Sequence, residues 1–193
     1  ELGIADNTIV IYTTDNGPWL PFKNHGGSAY PLRNGKMSTY EGGQRVPTIM
    51  WAPGRIPAGT ETNEIAAMMD LIPSIAKLSG ADFKPRGPID GLDISELMHG
   101  KGPSPRNEFL YYRRGDKPDA LRQGDWKVRH AGPTKKNNNK KRVLELYNLA
   151  EDIGEMNNLA TIETEKANAL LKRMEELDAV ITEGIRPRGE LKK

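Results

Sequence analysis

Cysteine is absent from the 193-residue chain. That absence excludes disulfides, thiolate metal sites and cysteine nucleophiles. Long apolar runs are missing too: no window approaches the roughly 18 uninterrupted apolar residues that span a bilayer. The opening Glu1-Leu2-Gly3-Ile4-Ala5-Asp6 lacks the basic and apolar regions of a signal peptide. Excess charge of one sign is equally scarce. A formal net charge of +2 is too small to argue for a nucleic-acid partner. The one dense basic run, Lys135-Lys136-Asn137-Asn138-Asn139-Lys140-Lys141-Arg142, reads as a solvated hairpin tip. With 36% hydrophobic and 28% charged residues, the chain can bury a core as one large domain or two small ones.

Ile9-Val10-Ile11-Tyr12 shows no polar alternation, which suits a strand covered on both faces, as in a parallel sheet between helix layers. Val46-Pro47-Thr48-Ile49-Met50-Trp51 is a second such run. Residues 13–45 between them are glycine-rich and aperiodic, and a long loop of this kind inside a compact domain is usually functional. Further on, Asp70 offers an N-cap to a short buried helix over Leu71-Ile72-Pro73-Ser74-Ile75-Ala76-Lys77-Leu78-Ser79, with Gly80 past its end. A proline- and glycine-rich stretch over 81–107 marks a domain seam. This gives a first unit over 1–105 and a second over 106–193.

In the second unit, short alternating runs at 108–114, 120–131 and 142–149 predict an antiparallel meander. Ala167, Leu170, Leu171, Met174, Leu177 and Ile181 then recur at three- and four-residue spacing. They form an amphipathic helix that should cover one face of the small sheet.

Ligands of parallel α/β sheets sit at the carboxyl ends of strands, where Asp15 and Asn16 follow the first apolar run. Their hard oxygens suit Ca²⁺ or Mg²⁺ rather than a soft metal, while Asp-Asn-Gly-Pro is also an ordinary turn sequence. Lys36 and Arg33 add cations suited to a tetrahedral oxyanion within a loop whose glycines permit close backbone approach. No Walker A spacing is present. His25 is either a proton donor or simply an exposed loop histidine. Glu41 and Arg45 read as a local pair at the base of the loop, without a catalytic role.

Taken together, "DNTIVIYTTDNGPW", "NHGGSAYPLRNGKMSTYEGGQRVPTIMWAPGRIPAG", "MMDLIPSIAKLSG", "IDGLDISELMHG" and "ELYNLAEDIGEMNNLA" resemble, in order, the C-terminal portion of sulfatases of the arylsulfatase type. The resemblance implies an alkaline-phosphatase-like α/β sandwich followed by a small α+β domain with a four-stranded antiparallel sheet and a C-terminal helix. It implies Asp15 and Asn16 as ligands of a calcium ion, Mg²⁺ being the lesser candidate, and Lys36 as a catalytic residue that also binds the sulfate group. His25 falls in the substrate cleft. Met37 stands where the family's motif commonly has glycine.

Sulfatases attack sulfur with a formylglycine made from cysteine or serine in C/S-x-P-x-R. No serine here fits that pattern: Ser28-Ala29-Tyr30-Pro31-Leu32-Arg33 has one residue too many before the proline. The expectation is therefore a C-terminal fragment with the nucleophile upstream, inactive alone and prone to self-association. Its partner is a sulfate ester, a sulfated glycan among the candidates. The family's usual settings are periplasmic, secreted or lysosomal. Two other readings share the residues: a phosphodiesterase or phosphonate hydrolase of the same superfamily, and a catalytically empty binding or structural module.

Overall fold

A computed structural model of the chain describes residues 2–113, 117–131 and 143–185. The basic run at 135–142, expected as a hairpin tip, lies outside the described residues. Strand β1 (Val10–Tyr12) pairs antiparallel with β2 (Ile49–Trp51), in the register Val10↔Trp51, Ile11↔Met50 and Tyr12↔Ile49. Thr13 Oγ1 and Thr48 Oγ1, 3.0 Å apart, continue the pairing beyond the strands. Expectation and structure differ here. The two apolar runs form a two-stranded antiparallel sheet rather than a covered parallel one, and Val10, Tyr12, Ile49 and Trp51 are all exposed. A parallel pair needs a crossover, usually helical. The segment between these strands instead folds back as a loop holding only a 3₁₀ turn (Leu20–His25) and the short helix α1 (Glu41–Gln44).

Helix α2 (Leu71–Ser79) ends as expected, with Gly80 at φ 72° donating its N–H to the Ala76 and Lys77 carbonyls. Its start differs. Asp70 makes no side-chain cap to α2, because its carboxylate accepts from the amides of Ala67 and Leu92, both at 2.8 Å, and from Arg106. Nor is the helix fully buried: Ile72 and Ile75 face solvent, while Ser74 is buried and receives the Ile94 amide at 2.9 Å. Helix α3 (Ser95–Met98) packs against α2.

The second unit matches its pattern. Strands β3 (Glu108–Tyr112), β4 (Pro118–Gln123), β5 (Trp126–Ala131) and β6 (Val143–Asn148) form a four-stranded antiparallel sheet in sequential order. Gly124, at φ 55°, turns the β4–β5 hairpin. Helix α4 (Thr164–Glu183) lies on one face, where Leu121, Val128 and Leu146 meet Ala167, Leu170 and Met174. Ile181, last of the predicted stripe, is exposed because the helix runs past the packed part of that face. Among the described residues no helix is long and apolar enough to cross a membrane.

The other face of the sheet is charged and nonetheless buried. Cross-strand registry aligns Tyr111 with Ala120, Ala120 with Arg129, and Arg129 with Glu145. It also aligns Arg122 with Lys127 and Lys127 with Tyr147. Residues 33–41 cover this face, and Tyr40 joins Tyr147 and Leu149 in a small apolar cluster. The long loop is thereby docked onto the small sheet.

Candidate active site

The Asp15-Asn16 turn and the Lys36 loop are tied through their backbones. Gly17 donates its N–H to the Gly43 carbonyl at 3.1 Å, and Lys36 donates its N–H to the Pro18 carbonyl at 2.9 Å. Glycine is obligatory at this crossing. A Cβ on Gly17 would stand 1.8 Å from the Gly42 carbonyl oxygen, and one on Gly42 would stand 2.4 Å from the Arg33 and Asn34 oxygens. The loop also closes on itself, through Gly42 N–H to the Arg33 carbonyl at 2.9 Å and Gln44 Nε2 to the Ser38 carbonyl at 2.9 Å.

On this frame Asp15 and Lys36 have exposed side chains and Asn16 is half-buried. Thr14 Oγ1 reaches Asp15 Oδ1 at 3.4 Å. Asp15 and Asn16 present two hard oxygen donors, the type calcium takes, but a calcium shell needs about six to eight. Among the described residues no three His, Cys, Asp or Glu side chains gather as a metal site, so these two are a partial donor set at most. His25 ends the 3₁₀ turn with its side chain exposed. The backbone crossing that joins the other two segments does not include it.

Two side chains of the loop take positions that differ from expectation. Arg33, read as an oxyanion cation, turns toward the small sheet: it donates from Nη1 to the Glu155 carbonyl at 2.5 Å and to the Tyr147 hydroxyl at 3.3 Å, and lies 4.1 Å from the Tyr40 ring centroid. Glu41, read as a partner of Arg45, is 0% exposed and ion-paired instead with Lys127 at 2.8 Å and Arg122 at 3.4 Å. Arg45 donates to Asn63 Oδ1 at 2.8 Å. The reason is desolvation: a buried carboxylate needs cations that are buried with it, and the sheet's charged face supplies them.

Glu155 completes this junction. It is 0% exposed, its Oε2 accepts the Glu41 N–H at 2.6 Å, and its Oε1 lies 3.0 Å from Lys127 Nζ without an aligned hydrogen-bond donor. Burial raises its pKa, and the attraction of Lys127 only partly offsets that. At Glu41 burial acts in the same direction, but the charge and hydrogen bond of Lys127, with Arg122, outweigh it and the pKa falls. Beside them, Arg129 donates to Glu145 at 2.6 Å and stacks 3.8 Å from the Tyr40 ring centroid. Thr39 donates to Asp119. Sequence reasoning missed Lys127, Arg129 and Glu155. The available signal was the alternation Lys127-x-Arg129 opposite Glu145-x-Tyr147.

The glycine-laced loop thus sets an exposed lysine against a strand-end Asp-Asn turn. The family model for sulfatases matches residues 1–81. The chain is 35% identical to arylsulfatase A of Bos taurus over 198 aligned positions, covering 92% of this chain and 38% of that protein. The crystal structure of the PsFucS1 sulfatase from Pseudoalteromonas sp. superposes with a TM-score of 0.77 at 27% identity, over 93% of this chain and 38% of that one. The structure of BT4656 in complex with its substrate D-glucosamine-2-N,6-O-disulfate superposes with a TM-score of 0.67 at 26% identity, over 92% and 35%. These likenesses support a member of the sulfatase family with the alkaline-phosphatase-like fold of its structural neighbours, and the chain spans little more than a third of the lengths of these proteins.

Proposed function

We propose that this chain supplies one part of the active site of a sulfuric ester hydrolase. Lys36 binds the sulfate group as a cation, Asp15 and Asn16 are two ligands of a calcium ion, and His25 borders the substrate cleft. The observation that carries the reading is the double backbone crossing that sets the Lys36 loop against the Asp15-Asn16 turn. A tetrahedral group seated there would meet an ammonium on one side and a hard-oxygen metal site on the other. Calcium, when bound, would add positive charge beside the sulfate oxygens. The formylglycine nucleophile belongs to the upstream portion of the enzyme, in line with the absence of C/S-x-P-x-R in this sequence. The substrate class is a sulfated sugar, supported by the disulfated glucosamine bound to BT4656.

The test uses the full-length enzyme that contains this chain, assayed on a chromogenic aryl sulfate and on a chromogenic phosphodiester. Sulfate hydrolysis is expected to dominate, to fall at least ~100-fold in Lys36→Ala, as for loss of one transition-state donor, and to require calcium after chelation. Preference for the phosphodiester, or a fully active Lys36→Ala, would overturn the reading.

A further inference from the structure

The buried ion cluster beneath the Lys36 loop does more than join two units, because of what it holds. Glu155 reaches across the junction to the Glu41 amide, the first residue of α1, which follows directly on Lys36-Met37-Ser38-Thr39-Tyr40. Its own backbone carbonyl receives Arg33, three residues before Lys36. The same residue therefore clamps the loop on both sides of Lys36. Glu155 itself is held in place from two directions. Asp152 Oδ2 accepts the amides of Met156 and Asn157, both at 2.7 Å, which shapes the turn around Glu155. Lys127 stands between Glu155 and Glu41, at 3.0 and 2.8 Å, on β5, an interior strand of the sheet.

Glu155 also sits at φ 52°, a backbone conformation uncommon for a residue with a side chain. A glutamate held in a left-handed backbone conformation and fully buried with its charge costs free energy on both counts. Stability alone does not account for it, since buried ion pairs are often matched or bettered by apolar residues of similar volume. Fixing a loop to sub-ångström accuracy is a role such a cluster can fill, because a displacement of about 1 Å at a reacting centre can cost ~100-fold in rate.

We propose that Glu155, acting with Lys127, is a positioning residue for Lys36: it fixes the 33–41 loop from below so that the lysine ammonium stands at the sulfate position. The proposal rests on the role given to Lys36 above. Glu155→Gln keeps the volume, but its amide cannot both accept the Glu41 N–H and present an anion to Lys127.

The test is a double-mutant cycle in the full-length enzyme, on a chromogenic aryl sulfate, with wild type, Lys36→Ala, Glu155→Gln and the double variant. Glu155→Gln is expected to lower kcat by ~10- to 100-fold with KM changed less than about threefold, and to add almost nothing in the Lys36→Ala background, since coupled residues are not additive. A loss that multiplies fully with that of Lys36→Ala, or no loss at all, overturns the positioning role. Should Lys36→Ala alone retain full rate, the reading of Lys36 fails first and separately. In case Glu155→Gln does not fold, Arg33→Lys probes the other side of the clamp, with the same non-additivity expected and full additivity counting against the proposal. Hydrogen exchange of the amides at 35–43 gives an activity-free readout: faster exchange there than in β4 and β5 supports the clamp, and unchanged exchange contradicts it.

Discussion

At the scale of single residues, Asp70 is the clearest case of a charge whose loss has a definite sign. It is 0% exposed and meets the fork of Arg106, with Nε at 2.8 Å from its Oδ2, while Arg106 also donates to the Asp90 carbonyl at 2.7 Å. Burial acts to raise the Asp70 pKa, but the Arg106 hydrogen bonds and the Leu92 and Ala67 amides prevail and lower it from 3.8. A depressed carboxylate contributes stability above its ordinary value and loses it as pH falls through the folded one. Asp93 acts alike: burial opposes, but Lys77 and Ser95 hold it at about 2. Stability should therefore decline from about pH 4 down to about pH 2. Asp70→Ala should cost about 3–5 kcal/mol at neutral pH, since it leaves Arg106 without its buried partner. Urea unfolding of the chain measures both; a loss below about 1 kcal/mol for Asp70→Ala would contradict the account. Met37 shows the opposite relation of residue to backbone. At φ 68° it occupies a glycine-like conformation, which gives a physical reason for glycine at this place in the family motif.

At the scale of elements, α4 was legible because its stripe is long and its period unambiguous. Leu170 is buried against the sheet and Ile181 is exposed. Leu170→Ala should cost about 2–5 kcal/mol through the cavity it leaves, and Ile181→Ala within about 0.5 kcal/mol. Equal losses in urea unfolding would show that the helix packs differently. The β3–β6 meander was equally legible from alternation and from Gly124. Strands β1 and β2 were located by their apolar runs, but neither their antiparallel pairing nor their exposure could be read. An uninterrupted run of Val and Ile looks the same whether covered or open, and its partner lies in another part of the chain. The charged face of the sheet escaped for a related reason. Lys127 and Arg129 alternate as solvent-facing residues would, yet the element that buries them is far off in sequence, Glu41 lying 86 residues from Lys127.

At the scale of the whole molecule, a buried ionic junction of Glu41, Arg122, Lys127 and Glu155 joins the 33–41 loop to the four-stranded sheet. The apolar core lies between α4 and the small sheet. Val10, Tyr12, Ile49 and Trp51 are exposed, apolar surface of the kind that favours self-association. The candidate site lies in the 15–36 segment, and the loop that carries Lys36 is held by Glu155 on both sides of it. The candidate residues Asp15, Asn16 and Lys36 could be named from the sequence because motif chemistry is local; the contacts of Glu155 and Lys127 could not, because they join residues far apart in the chain.

In the proposed function, Asp15, Asn16 and Lys36 form one part of a sulfate-ester site whose other residues lie outside this chain. Its most direct test is turnover of a chromogenic aryl sulfate by the purified 193-residue chain, beside its Lys36→Ala variant, with the full-length enzyme as positive control. The account predicts activity from the full-length enzyme and none from the chain above that of Lys36→Ala; turnover by the chain alone that Lys36→Ala abolishes would contradict it.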